Sequence, residues 1–215
     1  MKPRIIDCEQ RTPEWYVARA GRLTGSVADN ILSTLKSGGE PAGRRDLRIQ
    51  LAVERITGQA LDWDGFTSKE MQRGIDLEGP ARSTYEAETG HIVRTTGFII
   101  WETHPVGCSL DGDIDDLTGI LELKCPKSAT HLSYLRDQRL PPAYVAQVTH
   151  NLWVTGAAWC DFVSFDDRLP QGLQYFRKRI GRAELDIPSY AIAATKFLAE
   201  VEAERLALLE LRGSS

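Results

Sequence analysis

Hydrophobic and polar positions change rhythm twice along the 215-residue chain. Up to Gly90 the spacing is helical and broken by turns. Thr12-Pro13-Glu14 reads as a helix start, with proline at the first helical position, and Trp15, Val17 and Ala18 follow before Gly21. A second short helix begins near Ser26. The segment "STLKSGGEPAGRRD" carries three glycines and a proline and reads as a flexible loop with a basic end. Leu47 to Ile56 is periodic as a helix and stops at Gly58. Thr67-Ser68-Lys69-Glu70 forms a capping box for a longer helix running toward Gly90, in which Pro80 is expected to introduce a kink.

From Thr96 onward the pattern shortens to strands. "TGFIIWE", "VGCSLD" and "GILELKC" are read as three of them. Helical segments follow over about 128–138 and 142–155, separated by Pro141-Pro142. "AAWCDFVSF" and "GLQYFRKRI" are two further strands, and residues 188–211 make a final amphipathic helix. Strands grouped among helices predict an α/β (α+β) fold with a mixed central sheet and helices packed on it. One domain is expected over 1–215: N-terminal helices over 12–90, a sheet core over about 96–180 and a C-terminal helix over about 188–211.

Composition narrows the class. Hydrophobic residues make up 42% and charged residues 26%, as in ordinary globular proteins. No segment approaches the roughly 18 apolar residues of a membrane span, and "MKPRIIDCEQ" lacks the apolar core of a signal peptide. A cytoplasmic protein with no membrane partner is expected. Cys8, Cys108, Cys125 and Cys160 show no paired spacing and read as reduced thiols. His91, His104, His131 and His150 show no ligand spacing either. Trp15, Trp153 and Trp159 read as core residues.

Charge adds a distinction that the net value of −4 conceals. Residues 1–60 carry 10 basic and 7 acidic side chains, residues 61–122 carry 4 and 13, and residues 123–185 carry 9 and 5. An acidic middle between basic flanks suits a protein that binds a polyanion and holds cations.

Within that middle, Asp111, Asp113, Asp115, Asp116 and Glu122 crowd into one stretch. Three readings compete. Asp111, Asp113, Asp115 and Glu122 fall at positions 1, 3, 5 and 12 of an EF-hand loop, but Asp116 stands where the turn needs glycine, and the flanks are strand-like. An acidic hairpin turn explains Asp113 to Gly119 but leaves Glu122 and Lys124 sharing one face of an apolar strand, which suits a solvated edge. In a metal-dependent nuclease, a hairpin brings Asp111 beside Glu122 and Lys124, two ligands for a hard cation and a lysine for the attacking water.

The series "EWYVARAGRLTGSVA", "GIDLEGPARSTYE", "CSLDG", "LELKCP" and "YVAQVTHNLWVTG" resembles, in order, the lambda-type phage exonucleases. These YqaJ-like viral recombinases belong to the PD-(D/E)xK nuclease superfamily, with a restriction-endonuclease-like core. "CSLDG" replaces the more usual S-P-D-G and keeps the aspartate. The resemblance implies Asp111, Glu122, Lys124, Glu78 and Gln147 as catalytic residues. Metal ligands would be Asp111, Glu122 and the Leu123 carbonyl, with Glu78 as a further ligand. Arg19, Ser26 and Ser109 match positions that bind a terminal 5′-phosphate. It also implies Mg²⁺, replaceable by Mn²⁺, and 5′-to-3′ digestion of double-stranded DNA ends to leave 3′ tails. A homotrimer ring and a single-strand annealing protein as partner come with it. A site-specific endonuclease on the same core, and a noncatalytic DNA-end-binding or Ca²⁺-binding module, are the alternatives.

Overall fold

The computed structural model describes residues 3–61 and 68–213. The mixed sheet expected is present, with a three-stranded sheet in addition, ahead of it in the chain. In the first, Phe98–Ile100 (β2) pairs antiparallel with Gly107–Ser109 (β3) on one side. On its other side lies Arg4–Ile6 (β1), a strand that the helical reading of the N-terminal region omits. The second sheet has the order Gly112–Ile114 (β4), Gly119–Lys124 (β5), Trp159–Phe165 (β6) and Tyr175–Gly181 (β7). It is mixed: β5 and β6 run parallel, and the outer pairs are antiparallel.

"VGCSLD" holds a strand, as expected, but that strand, β3, ends at Ser109. The chain leaves the first sheet after Ser109 and enters the second at Gly112. Side chains take over the carbonyls at the crossing: Gln10 Nε2 donates to the Leu110 carbonyl at 2.8 Å, and Arg82 Nη2 to that of Asp111 at 3.2 Å. A backbone satisfied in this way has no need of a ladder partner.

Helices enclose the sheets. Pro13–Arg19 (α1) is capped by Thr12, whose side chain accepts from the Trp15 amide. A 3₁₀ turn at Gly25–Val27 leads into Ala28–Leu32 (α2). Ala42–Thr57 (α3) starts earlier than the glycine-rich segment suggested. Glu40 accepts from Arg44 at 2.6 Å and Arg48 at 3.0 Å, which ties the basic end of the loop into the first turns. Lys69–Thr89 (α4) is capped by Ser68, which accepts from the Met71 amide at 3.1 Å, and it continues across Pro80. Thr67 of the expected capping box lies outside the described residues. Ser128–Asp137 (α5), Pro142–Thr155 (α6) and Ile187–Gly213 (α7) complete the set. No helix among the described residues is long and apolar enough to cross a membrane.

Two cores result. Leu51, Ile99, Val106, Leu152, Phe197 and Val201 join α3, α6 and α7 to the three-stranded sheet. Tyr85, Leu121, Leu123 and Val163 join α4 to the four-stranded sheet. Helix α6 is buried continuously from Val148 to Thr155, and His150 locks it in place. Its Nε2 donates to the Gly107 carbonyl at 2.9 Å, and its Nδ1 accepts from the Tyr190 hydroxyl at 2.7 Å. Burial pushes its pKa down to about 4, so the neutral ring is the structural form. His131 is bonded in the same manner to Leu173 and Ser164. All four cysteines are free thiols, with Cys108 and Cys160 buried.

Candidate active site

Strand β5 lies between β4 and β6, so Glu122 and Lys124 occupy an inner strand and not a solvated edge. Glu122 is 2% exposed. A carboxylate removed from water this completely needs donors on both oxygens. Gln147 Nε2 (2.5 Å) and Lys124 Nζ (2.6 Å) reach Oε1, and Asn151 Nδ2 reaches Oε2 at 3.1 Å. Gln147 and Asn151 stand one turn apart on α6, which the i, i+4 spacing makes possible. Asn151 was not singled out from the sequence; that spacing from Gln147 was the available signal.

Asp111 sits where the chain crosses between sheets, and its Oδ2 accepts from the Leu123 amide at 2.6 Å. Burial first, and then the adjacent Glu122, push its pKa up to about 7. Burial works against the charge on Lys124, but Glu122 and Asp111 outweigh it and hold the ammonium above its ordinary range. The Tyr144 ring lies 5.1 Å from that nitrogen.

The calcium-loop reading fails on geometry. Asp113 pairs with Arg94 at 2.9 Å and accepts from the Leu117 amide at 2.5 Å. Asp115, Asp116 and Leu117 form a left-handed turn with φ of 52°, 53° and 64°. The four EF-hand positions do not converge, and no cluster of three or more Asp, Glu, His or Cys ligands occurs among the described residues. Glu78 lies on α4 in an ion pair with Arg11, and its charge reaches Asp111 without joining the pair.

An open groove of about 930 Å³ runs past this centre. Arg11, Lys69, Arg73, Lys124, Lys127 and Arg168 line it, with Glu70 and Glu78 among them. Tyr144, Met71 and Ile75 supply apolar wall.

Arg19, Ser26 and Ser109 come together beside a second pocket that Arg19, Trp15, Thr24 and Glu54 line. Arg19 Nη1 approaches Ser109 Oγ, and Nη2 approaches Thr24 Oγ1, each at 3.5 Å. Thr24 Oγ1 lies 3.3 Å from Ser26 Oγ. Trp15 Nε1 donates to Ser109 at 2.9 Å, and its ring carries the Arg19 guanidinium at 4.2 Å. Trp15 is half-buried here and not a core residue; Trp153 is buried as expected. Burial lowers the Arg19 pKa, and no carboxylate among the described residues forms an ion pair with it. Glu54 acts on it at longer range, but a guanidinium backed by an aromatic face, ringed by hydroxyls and outside any close ion pair is suited to an anion. Trp15 and Thr24 complete a set of which the sequence revealed three members.

The family model for the YqaJ-like viral recombinase domain matches residues 14–158, a span that includes both pockets' principal residues. No curated protein matches the chain. LHK-Exo, an alkaline exonuclease from Laribacter hongkongensis, superposes with a TM-score of 0.83 at 37% identity, covering 94% of this chain and 99% of that one. Its complex with dAMP gives 0.84 at the same identity and coverage. A phage related exonuclease from Haemophilus somnus 129PT shares the fold, with a TM-score of 0.68 at 13% identity over 89% and 96% of the two chains. The architecture is restriction-endonuclease-like. A match across the acidic hairpin and α6, with an exonuclease relative alike over nearly its whole length, places the chain in the YqaJ-like viral recombinase family.

Proposed function

We propose that the protein is a divalent-metal-dependent exonuclease that digests linear double-stranded DNA from its 5′ ends and leaves 3′ tails for phage-type recombination. The observation that carries this reading is buried Glu122 next to half-buried Asp111, both held against Lys124, which itself lines a cation-lined groove. Two carboxylates that repel each other in a low-dielectric site fit a hard cation, which relieves the repulsion. Asp111, Glu122 and the Leu123 carbonyl would hold Mg²⁺, with Mn²⁺ suited to the same oxygen donors and Glu78 a further carboxylate on the groove wall. When bound, such an ion supplies charge to neutralise the scissile phosphate and to acidify water.

The chain's own residues do the rest. Lys124 directs its ammonium at the oxygen of the attacking water. Gln147 holds Glu122 in place and lies beside the reacting phosphate. Arg19, Ser26 and Ser109, with Thr24 and Trp15, receive the terminal 5′-phosphate, whose extra charge gains more from a guanidinium than an internal diester does. Lys69, Arg73, Lys127 and Arg168 follow the backbone along the groove. Family likeness extends the proposal to a homotrimer ring around the duplex and to cooperation with a single-strand annealing protein.

The test compares linear and covalently closed duplex with Mg²⁺, with Ca²⁺ and with EDTA. Loss of linear DNA in Mg²⁺ alone, with closed circles intact and little cleavage in Ca²⁺, is the expected result. Cutting of closed circles would replace this reading with an endonuclease. Binding of DNA ends without cleavage in any cation would make the protein a noncatalytic module.

A further inference from the structure

Glu122 and the Thr24–Ser26 turn belong to different pockets, and one side chain touches both. Asn151 is 2% exposed and gives its Nδ2 to Glu122 Oε2 at 3.1 Å. Its Oδ1 is buried with no hydrogen-bond partner. That oxygen faces Gly25, where an added Cβ would stand 2.4 Å from it and 3.3 Å from Gln147 Cγ. The backbone at Gly25 thus lies against the same amide that holds the carboxylate, so close that only glycine fits without displacement. An unbonded buried oxygen costs free energy, and here it is spent on a close approach between α6 and the turn.

We infer that Asn151 is a positioning residue that orients Glu122 and sets the distance between the acidic centre and the 5′-phosphate pocket, with Gly25 as its seat. Thr24 and Ser26 flank Gly25, so a shift of this turn carries the anchoring hydroxyls with it. The inference rests on the exonuclease reading for its kinetic consequences and on the cation proposed at Asp111 and Glu122 for metal binding.

The experiment uses the full chain as wild type, Asn151→Ala, Asn151→Asp, Gly25→Ala and the Gly25→Ala/Asn151→Ala double variant. Steady-state digestion of 5′-phosphorylated duplex is measured beside thermal midpoints, and Mn²⁺ binding is measured by calorimetry without DNA. Losing a hydrogen bond to a charged acceptor predicts a kcat about 10- to 100-fold lower for Asn151→Ala, with KM changed much less. Asn151→Asp keeps the shape, sets a carboxylate against Glu122 and should be slower still at a folded midpoint. Gly25→Ala should lower kcat by itself yet add little in the Asn151→Ala background, since the obstructing atom is gone. Independent losses that multiply in the double variant, or wild-type kcat in folded Asn151→Asp, would overturn the assignment. If the wild type cleaves nothing, the exonuclease reading fails and calorimetry still decides: Asn151→Ala must weaken Mn²⁺ binding about tenfold, and unchanged binding refutes the positioning role.

Discussion

Lys124 and Arg19 are both half-buried cations, and their surroundings separate their roles. Lys124 is paired with Glu122 at 2.6 Å and stands over Tyr144, whereas Arg19 rests on Trp15 among hydroxyls, with Glu54 acting on it only at longer range. Lys124→Ala should leave the fold and DNA binding intact and lower turnover at least about a hundredfold, because the attacking water loses its positioning group. Near-normal turnover in the purified variant would reduce Lys124 to a partner of Glu122. Arg19→Ala should slow digestion of 5′-phosphorylated duplex by about 10- to 150-fold, the equivalent of losing a charge-assisted bond of roughly 1.5–3 kcal/mol. Digestion of 5′-hydroxyl duplex should barely change. An equal loss on both substrates would make Arg19 a general backbone contact or a structural residue. The residue types and their order were legible in the sequence, but their companions were not. Ser109 meets Trp15 across 94 positions of chain, a separation that no local pattern encodes.

At the scale of elements, α6 organises the molecule. It presents Gln147 and Asn151 to β5 on one side, and through His150 it bonds β3 and α7. His150 is buried with its pKa pushed down to about 4, below the value of about 6.5 that an unfolded chain gives it. The unfolded state then binds the extra proton first. The stability this ring contributes is complete above pH about 6.5 and is lost as pH falls toward 4, by up to about 3 kcal/mol. Denaturant unfolding of the wild type and His150→Gln at several pH values in this window measures it. The difference between the two should shrink as the pH falls, and a constant difference would show that His150 does not titrate with folding.

At the scale of the whole molecule, charge follows the groove. The net −4 conceals a concentration of Lys69, Arg73, Lys127 and Arg168 near the acidic pair. Asp166 already engages Arg73 and Arg168, at 3.1 and 2.7 Å, while Lys69 makes no ion pair among the described residues. Lys69→Ala should therefore weaken duplex binding across sequences and reduce the slope of log K against log salt by about one. Binding titrations at several salt concentrations, in a cation that does not support cleavage, test this. An unchanged slope would take Lys69 off the DNA path.

The sequence by itself determined whatever depends on a few neighbouring residues. Helix α6 runs from Pro142 to the residue before Gly156, as proline at its start and glycine at its end required, and Gly156 adopts φ 75°. The apolar run of β5 and the turn residues of the acidic hairpin were equally local. Tertiary structure alone decided the pairing of β1 with β2, the break between β3 and β4, and the interior position of β5. It also decided that Asn151 joins Glu122 and that Trp15 and Thr24 close around Arg19. Backbone preference and periodicity are written within a turn or two of chain. The partner of a strand, or of a buried polar atom, is whichever distant group packing brings within about 3 Å.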